Sequence, residues 1–191
     1  MLLDIESNRR SRKWSVSELI GRILWAAAHP LFRFSPRIFW SWRASLLRMF
    51  GATIGRKVHI YPSVRIEIPW NLAVGDYTAI GDRAIIYNLG KLSIGARATI
   101  SQGAHLCGGT HEYKNADMTL VKAPTTIGEG VWVCADAFVG PHVVVGSYAI
   151  VGARAVLMRQ VASWTIVAGN PAKNIGHRVR PAASCKSRRL S

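Results

Sequence analysis

Between Ile54 and Leu157 an aliphatic residue returns about every six positions, and that period restricts the fold more than any other feature of the chain. The series runs Ile54, Ile60, Ile66; Val74, Ile80, Ile86; Ile94, Ile100, Leu106; then Ile127, Val133, Val139; Val145, Val151, Leu157; and Ile166. Of these 16 hexads, 14 carry a small or β-branched residue four places on, and eight have glycine directly after the aliphatic residue. A helix repeats near 3.6 residues and a heptad near 3.5, so a strict six fits neither. Short extended segments separated by turns do fit, with glycine expected at the corners. Three hexads close one triangular coil, and the aliphatic residues of successive coils stack into one core, as in any solenoid. The expected class is all-β, a helix of about five such coils. A sandwich of short strands is the competing fold, but sandwiches do not keep a six-residue spacing.

The rhythm breaks once. Ile94 to Ile127 is 33 residues, where Ile54 to Val74 and Val74 to Ile94 are 20 each. The stretch "LCGGTHEYKNADMTLVKAPTTIGEGVW" therefore holds an inserted loop at about 112–126, directly after His111. Long irregular segments in compact repeat proteins tend to carry function.

The chain divides into a basic, tryptophan-rich helical segment (1–50), the repeat (51–172) and a basic tail (173–191). Residues 1–50 hold nine Lys/Arg against three Asp/Glu, and 173–191 hold six against none, whereas 51–172 hold ten against seven. The net charge of +15 thus sits at the ends. It is not a stripe along the body, which argues against nucleic acid and suits an anionic membrane surface or an acidic partner. Ser15 to Glu18 reads as a capping box that opens a helix with Val16, Leu19, Ile20, Ile23, Leu24, Ala27 and Leu31 on one face, ended by Pro30. A second helix is expected to start at Ser35-Pro36 and close at Gly51. Trp14, Trp25, Trp40 and Trp42 lie among arginines here. Such helices either cap the open end of the first coil or lie in a membrane interface. No secretory signal or spanning helix is read, since the longest uninterrupted apolar run is six residues. Cys107, Cys134 and Cys185 form no even set and no metal-ligand spacing, which points to a reduced, cytoplasmic setting.

With these features in view, the chain resembles the hexapeptide-repeat acyltransferases, and among them the acetyltransferases of colanic acid and other exopolysaccharide biosynthesis. The strings that carry the likeness are "IYNLGKLSIG", "ISQGAHLCGGTHEY", "IGEGVWVCADAFVGP", "VGARAVLMRQV" and "WTIVAGNPAK", from about Ala44 to Ile175. The resemblance implies a left-handed parallel β-helix, direct transfer of acetyl from acetyl-CoA to a sugar hydroxyl, no metal, and a homotrimer with active sites between subunits. It places the catalytic base at His111. An imidazole is suited to remove the proton of a hydroxyl that is a poor nucleophile at neutral pH. It also implies Asn88 facing the acceptor and Trp132 lining the acyl channel. Ala135 and Ala153 would lie along the pantetheine arm, with Arg159 and either Lys173 or Arg178 near the phosphates of CoA. The acceptor would be a free or lipid-linked saccharide, met in the cytoplasm or at the inner face of the cytoplasmic membrane.

Three other readings compete. Zinc carbonic anhydrases share the fold, but His105 and His111 are six apart and so occupy equivalent places on successive faces, away from a common metal. Cys107 and Cys134 each follow an inward residue where the pattern wants something small, which leaves little case for an acyl-cysteine. A non-catalytic β-helical scaffold in polysaccharide assembly is the third.

Overall fold

The computed structural model describes residues 3–179. Each hexad forms one short strand, and the strands stack in parallel into three sheets that run the length of the solenoid. On the first face Ile54, Val74, Ile94, Ile127 and Val145 lie in register. The second face aligns Ile60, Ile80, Ile100, Val133 and Val151, and the third aligns Ile66, Ile86, Leu106, Val139 and Leu157. The insertion leaves the stacking undisturbed, since Ile94 pairs directly with Ile127. All these residues, with the small ones four places on such as Ala84, Ala98, Ala137 and Ala155, belong to one buried core. Burial of each Ile, Leu or Val side chain contributes about 1.5–3 kcal/mol, so stability accumulates coil by coil.

Glycine serves this stacking for a reason other than the corner conformation expected of it. The left-handed corner position falls on Lys57, Tyr77, Arg97, Gly130, Tyr148 and Trp164, with φ from 52° to 65°, so a single one of these six corners is a glycine. A Cβ on Gly75 would instead meet the Ala96 backbone nitrogen at 2.4 Å, and one on Gly95 would meet that of Glu129 at 2.5 Å. These glycines are needed because the backbone of the next coil passes directly over them.

Among the described residues five coils are complete, and a sixth is partial. It opens at Val161, which bridges to Val145, and continues in the strand Thr165–Ala168. Val167, not Ile166, is its inward residue: Val167 pairs with Val151 and is buried, while Ile166 pairs with Ile150 on the outer surface. The fifth coil is shorter than its predecessors, 16 residues from Val145 to Val161, and the six-residue step from Val161 then turns Val167 inward. The expected tail also starts later than position 173. Lys173–His177 is an antiparallel strand on Thr165–Ala168, and it covers the edge of the second sheet. Positions 180–191, with Cys185, lie outside the described residues.

Among the described residues three helices precede the coils rather than two: α1 (Ile5–Arg10), α2 (Val16–Arg33) and α3 (Trp40–Met49). The capping box that opens α2 is present, with Ser15 Oγ accepting from Glu18 N–H and Glu18 Oε2 from Ser15 N–H. Pro30 does not end α2, which runs through it to Arg33. Nor does Pro36 open α3, which begins four residues later with no side-chain cap. The open end of the first coil is plugged by Leu46 and Leu47 and by Arg43, whose guanidinium is fully buried. Arg43 donates to the carbonyls of Ile60, Pro36 and Arg37 and to Ser35 Oγ, at 2.6–2.8 Å. Burial depresses its pKa, and these four acceptors compensate the buried charge.

The apolar face of α2 does not turn inward. Trp25 and Phe32 pack against the first coil, with Trp25 Nε1 donating to the Ile66 carbonyl at 2.9 Å. Val16, Leu19, Ile20, Ile23, Leu24, Leu31 and Phe34 face outward, Ile23 at 68% and Phe34 at 83% exposure. The tryptophans are largely engaged with the protein: Trp40 stacks on His59 at 4.7 Å, and Trp42 Nε1 donates to the Leu31 carbonyl. Among the described residues, no helix is long and apolar enough to cross a membrane.

Candidate active site

The insertion is a β-hairpin, not a loop. Gly109–His111 pairs antiparallel with Leu120–Lys122, setting His111 opposite Leu120, and Thr125–Ile127 has already rejoined the coil. The hairpin projects from the edge between the third and first sheets. Its base is tied to α2 through Lys122, whose ammonium lies 3.2 Å from Glu18 and 3.8 Å from the centre of the Trp14 ring. The Arg22 guanidinium lies 4.4 Å from the centre of the same ring. The Ser15 N–H, and then Lys122, hold the Glu18 carboxyl below its ordinary pKa.

His111 is exposed at the end of the first hairpin strand, with Nδ1 2.7 Å from the Met118 carbonyl oxygen. A carbonyl only accepts, so Nδ1 carries the proton, and in the neutral ring Nε2 is left with a free lone pair. Met118 adopts the left-handed conformation, φ 45°, near the hairpin tip. Its carbonyl is fixed from a distance: Asn8 of α1 is buried and donates through Nδ2 to the carbonyls of Met118, at 2.7 Å, and Asp117, at 2.5 Å. Lys13 Nζ in turn donates to Asn8 Oδ1 at 2.7 Å. The Asp4 N–H donates to the Ala116 carbonyl, so α1 grips the hairpin at three consecutive carbonyls. Sequence reasoning missed Asn8. A single polar residue in a basic run carries no periodic signal, and its partner lies 110 positions away.

The remaining candidates are dispersed over different edges of the prism. Asn88 does not face an acceptor: it is fully buried, accepts from Ile68 N–H at 3.1 Å and donates to the Ile68 carbonyl at 2.6 Å. It pins the chain as it turns between the first and second coils. Trp132 lies exposed on the second face, its Nε1 donating to Ser101 Oγ at 2.9 Å. Ala135 and Ala153 stack on the edge between the second and third sheets. They continue a column that holds Asp82 and Gln102 in earlier coils, linked by the repeated bonds Gly103 N–H to Asp82, Asp136 N–H to Gln102 and Arg154 N–H to Ala135. The column thus becomes smooth in the last two complete coils, where an extended molecule can lie against it. Lys173, exposed and paired with Ala168, stands at its end. Arg159 is exposed near the edge that carries the hairpin. Arg178 belongs to the third edge, its guanidinium bound to the Gly130 carbonyl at 2.8 Å and its N–H to the Trp164 carbonyl at 2.7 Å. One chain therefore separates His111 and Arg159 from Ala135, Ala153 and Lys173, and Arg178 is committed to the fold.

His105 has a structural setting. His105 packs edge-on against Phe138, its Nε2 buried without a partner, and burial followed by Arg65 depresses its pKa. Burial raises the Cys134 thiol, the opposite of what a nucleophile needs. Among the described residues, no three His, Cys, Asp or Glu side chains converge where a metal ion could sit.

Comparison with known proteins shows what the sequence and the fold are similar to. The bacterial transferase hexapeptide family (six repeats) matches residues 124–159. The putative colanic acid biosynthesis acetyltransferase WcaF of Escherichia coli K12 is 42% identical over 158 residues, 83% of this chain and 87% of that protein. Two solved structures share the fold. A hexapeptide-repeat acetyltransferase of Vibrio cholerae complexed with acetyl-coenzyme A has TM-score 0.80 and 20% identity, over 88% of this chain and 93% of that one. A galactoside acetyltransferase in complex with coenzyme A has TM-score 0.79 and 20% identity, over 91% and 88%.

Proposed function

The chain belongs to the hexapeptide-repeat acetyltransferases, with its kinship to the colanic acid branch, and we propose that it is an O-acetyltransferase moving acetyl from acetyl-CoA to a saccharide hydroxyl in exopolysaccharide assembly. The observation that carries this reading is the bond from His111 Nδ1 to the Met118 carbonyl, which leaves Nε2 as the base. Acetyl-CoA supplies an activated thioester. Nε2 takes the proton of the acceptor hydroxyl as its oxygen bonds to the acyl carbon, and returns that proton to the departing sulfur. No acyl-enzyme is needed. The smooth column at Ala135 and Ala153 with Lys173 at its end suits an extended, anionic acyl carrier.

Because those residues lie on a different edge from His111, the reading includes a homotrimer in which one chain's column meets the hairpin edge of the next. Val144, exposed on the first face, is available for such packing. The outward apolar half of α2, with Arg33 exposed at its end and Arg37 exposed beyond it, is read as peripheral contact with an anionic membrane, at the inner face of the cytoplasmic membrane. The activity is tested with His111→Ala, which should lower acetyl transfer by about 10²–10⁴ while acetyl-CoA still binds. Full activity would reject His111 as the base. A monomeric sedimentation coefficient for active protein would reject the shared site. Vesicle binding unchanged by loss of residues 1–34 would dismiss the membrane contact.

A further inference from the structure

Between α2 and the third sheet lies a cleft of about 340 Å³ that none of the proposed chemistry uses. Its polar lining is Arg22 and His29 from α2 and Arg65 and Glu67 from the first coil. Glu67 stands 3.9 Å from Arg22 Nη2, while Arg22 Nη1 is buried with no hydrogen-bond partner. A buried guanidinium N–H that the protein does not satisfy is costly, and a ligand oxygen would relieve it. Arg65 is exposed beside it. Desolvation, then the positive field of Arg33 and Arg65, depresses His29, as expected where cationic groups outnumber the one carboxylate. The cleft is therefore built to receive an anion with several oxygens.

Its two neighbours say what that anion belongs to. On α2 the stripe Arg22–Ala26–His29 lines the cleft, and the adjoining stripe Leu19–Ile23–Pro30 opens the outward half of the helix, which has no charged side chain. Toward the third sheet, Glu67 is followed by Tyr87 and Cys107 on successive strands. The Tyr87 ring lies against Gly109 at the base of the hairpin that carries His111. Two strand spacings are about 10 Å, and the hairpin adds two further residues to reach His111. Apolar helix, cation cleft and base thus lie in that order along one side of the molecule, with the cleft and the base far enough apart to be spanned by an oligosaccharide.

We propose that the cleft formed by Arg22, His29 and Arg65 seats the diphosphate of a lipid-diphosphate-linked oligosaccharide, with its lipid chain along the outward face of α2 and its sugars reaching toward His111. The proposal rests on the O-acetyltransferase reading and specifies its acceptor. A nucleoside-diphosphate sugar carries the same diphosphate, but it has no use for an uncharged helix face at the lip of the cleft.

The first test is calorimetric titration of the full chain with inorganic pyrophosphate in saturating CoA, so that the carrier site is filled. Saturable binding is expected, weakened at least tenfold in Arg22→Gln/Arg65→Gln and in Arg65→Gln alone. The single variant changes only an exposed strand position, so it guards against loss of fold. Absence of binding, or binding unchanged in both variants, overturns the seat. The second test measures KM for one oligosaccharide presented free, on a nucleoside diphosphate and on a short prenyl diphosphate. The prenyl form should have a KM at least tenfold below both others, and Arg65→Gln should raise that KM. Equal KM for the two diphosphates overturns the lipid assignment, and equal KM for all three overturns the diphosphate seat while the transferase reading stands. A chain that binds pyrophosphate and acetylates none of the three overturns the transferase reading itself.

Discussion

The coils and α2 place aliphatic residues in opposite ways. In the coils every sixth residue points inward and meets its equivalent above and below, so Ile100 is buried between Ile80 and Val133. In α2 the aliphatic residues at helical spacing point away from the protein, and what packs inward is Trp25, Phe32, His29 and the stem of Arg22. The same apolar chemistry specifies a fold in one region and a surface in the other. Hydrophobic periodicity shows that a face exists; it does not say against what the face is buried.

The sharpest way to break this contrast is one substitution made in both places. Ile100→Ala should cost about 2–5 kcal/mol, read as a shift of the denaturant midpoint. Ile23→Ala should stay within about 0.5 kcal/mol in the same measurement, yet reduce co-sedimentation with anionic vesicles. A large loss of stability from Ile23→Ala would mean that α2 is packed in the free protein after all. Next in size is the hairpin, which has no stacked core and depends on a few polar bonds. Asn8→Ala removes the two donors that hold the Asp117 and Met118 carbonyls. It should lower kcat about tenfold, the equivalent of one lost hydrogen bond, with the KM for acetyl-CoA unchanged. A parallel rise in that KM would assign Asn8 a general structural role instead of positioning His111.

The smallest effect concerns pH. His105 and His29 are both depressed chiefly by burial, so the folded chain takes up fewer protons than the unfolded one below the ordinary histidine pKa of 6.5. Their stabilisation is complete above that value and is lost as pH falls toward their folded pKa values. Thermal stability should therefore decline from pH 7 to pH 5, and His105→Phe should make the decline shallower. An unchanged slope in His105→Phe would show that other groups carry it.

Most of the coil geometry was legible in the sequence because each hexad repeats the same local rule, and sixteen repetitions leave little room for a different period. The rule failed at Ile166, where a shorter coil moved the inward position to Val167. It also misassigned the reason for Gly75 and Gly95, since close approach of another coil is a tertiary fact that spacing alone does not contain. At the site, the break in rhythm located His111 correctly at an insertion, but not the hairpin that presents it. The bond that sets its tautomer depends on a left-handed Met118, and the clamp on that carbonyl depends on Asn8. Neither has a local signature. Asn88 shows the reverse failure: a polar residue expected to face a ligand is wholly occupied by the Ile68 backbone.

The role of His111 as base depends on which nitrogen of its ring carries the proton. Nitrogen-15 NMR of the full chain, with the His111 signals assigned by comparison with His111→Ala, reports which imidazole nitrogen carries the proton when the ring is neutral. The bond to Met118 requires Nδ1–H and a bare Nε2 in the wild type, with that preference weakened in Asn8→Asp, whose carboxylate faces the carbonyls with no amide N–H to donate. A neutral His111 protonated at Nε2 would contradict the claim that the hairpin presents this nitrogen as the base.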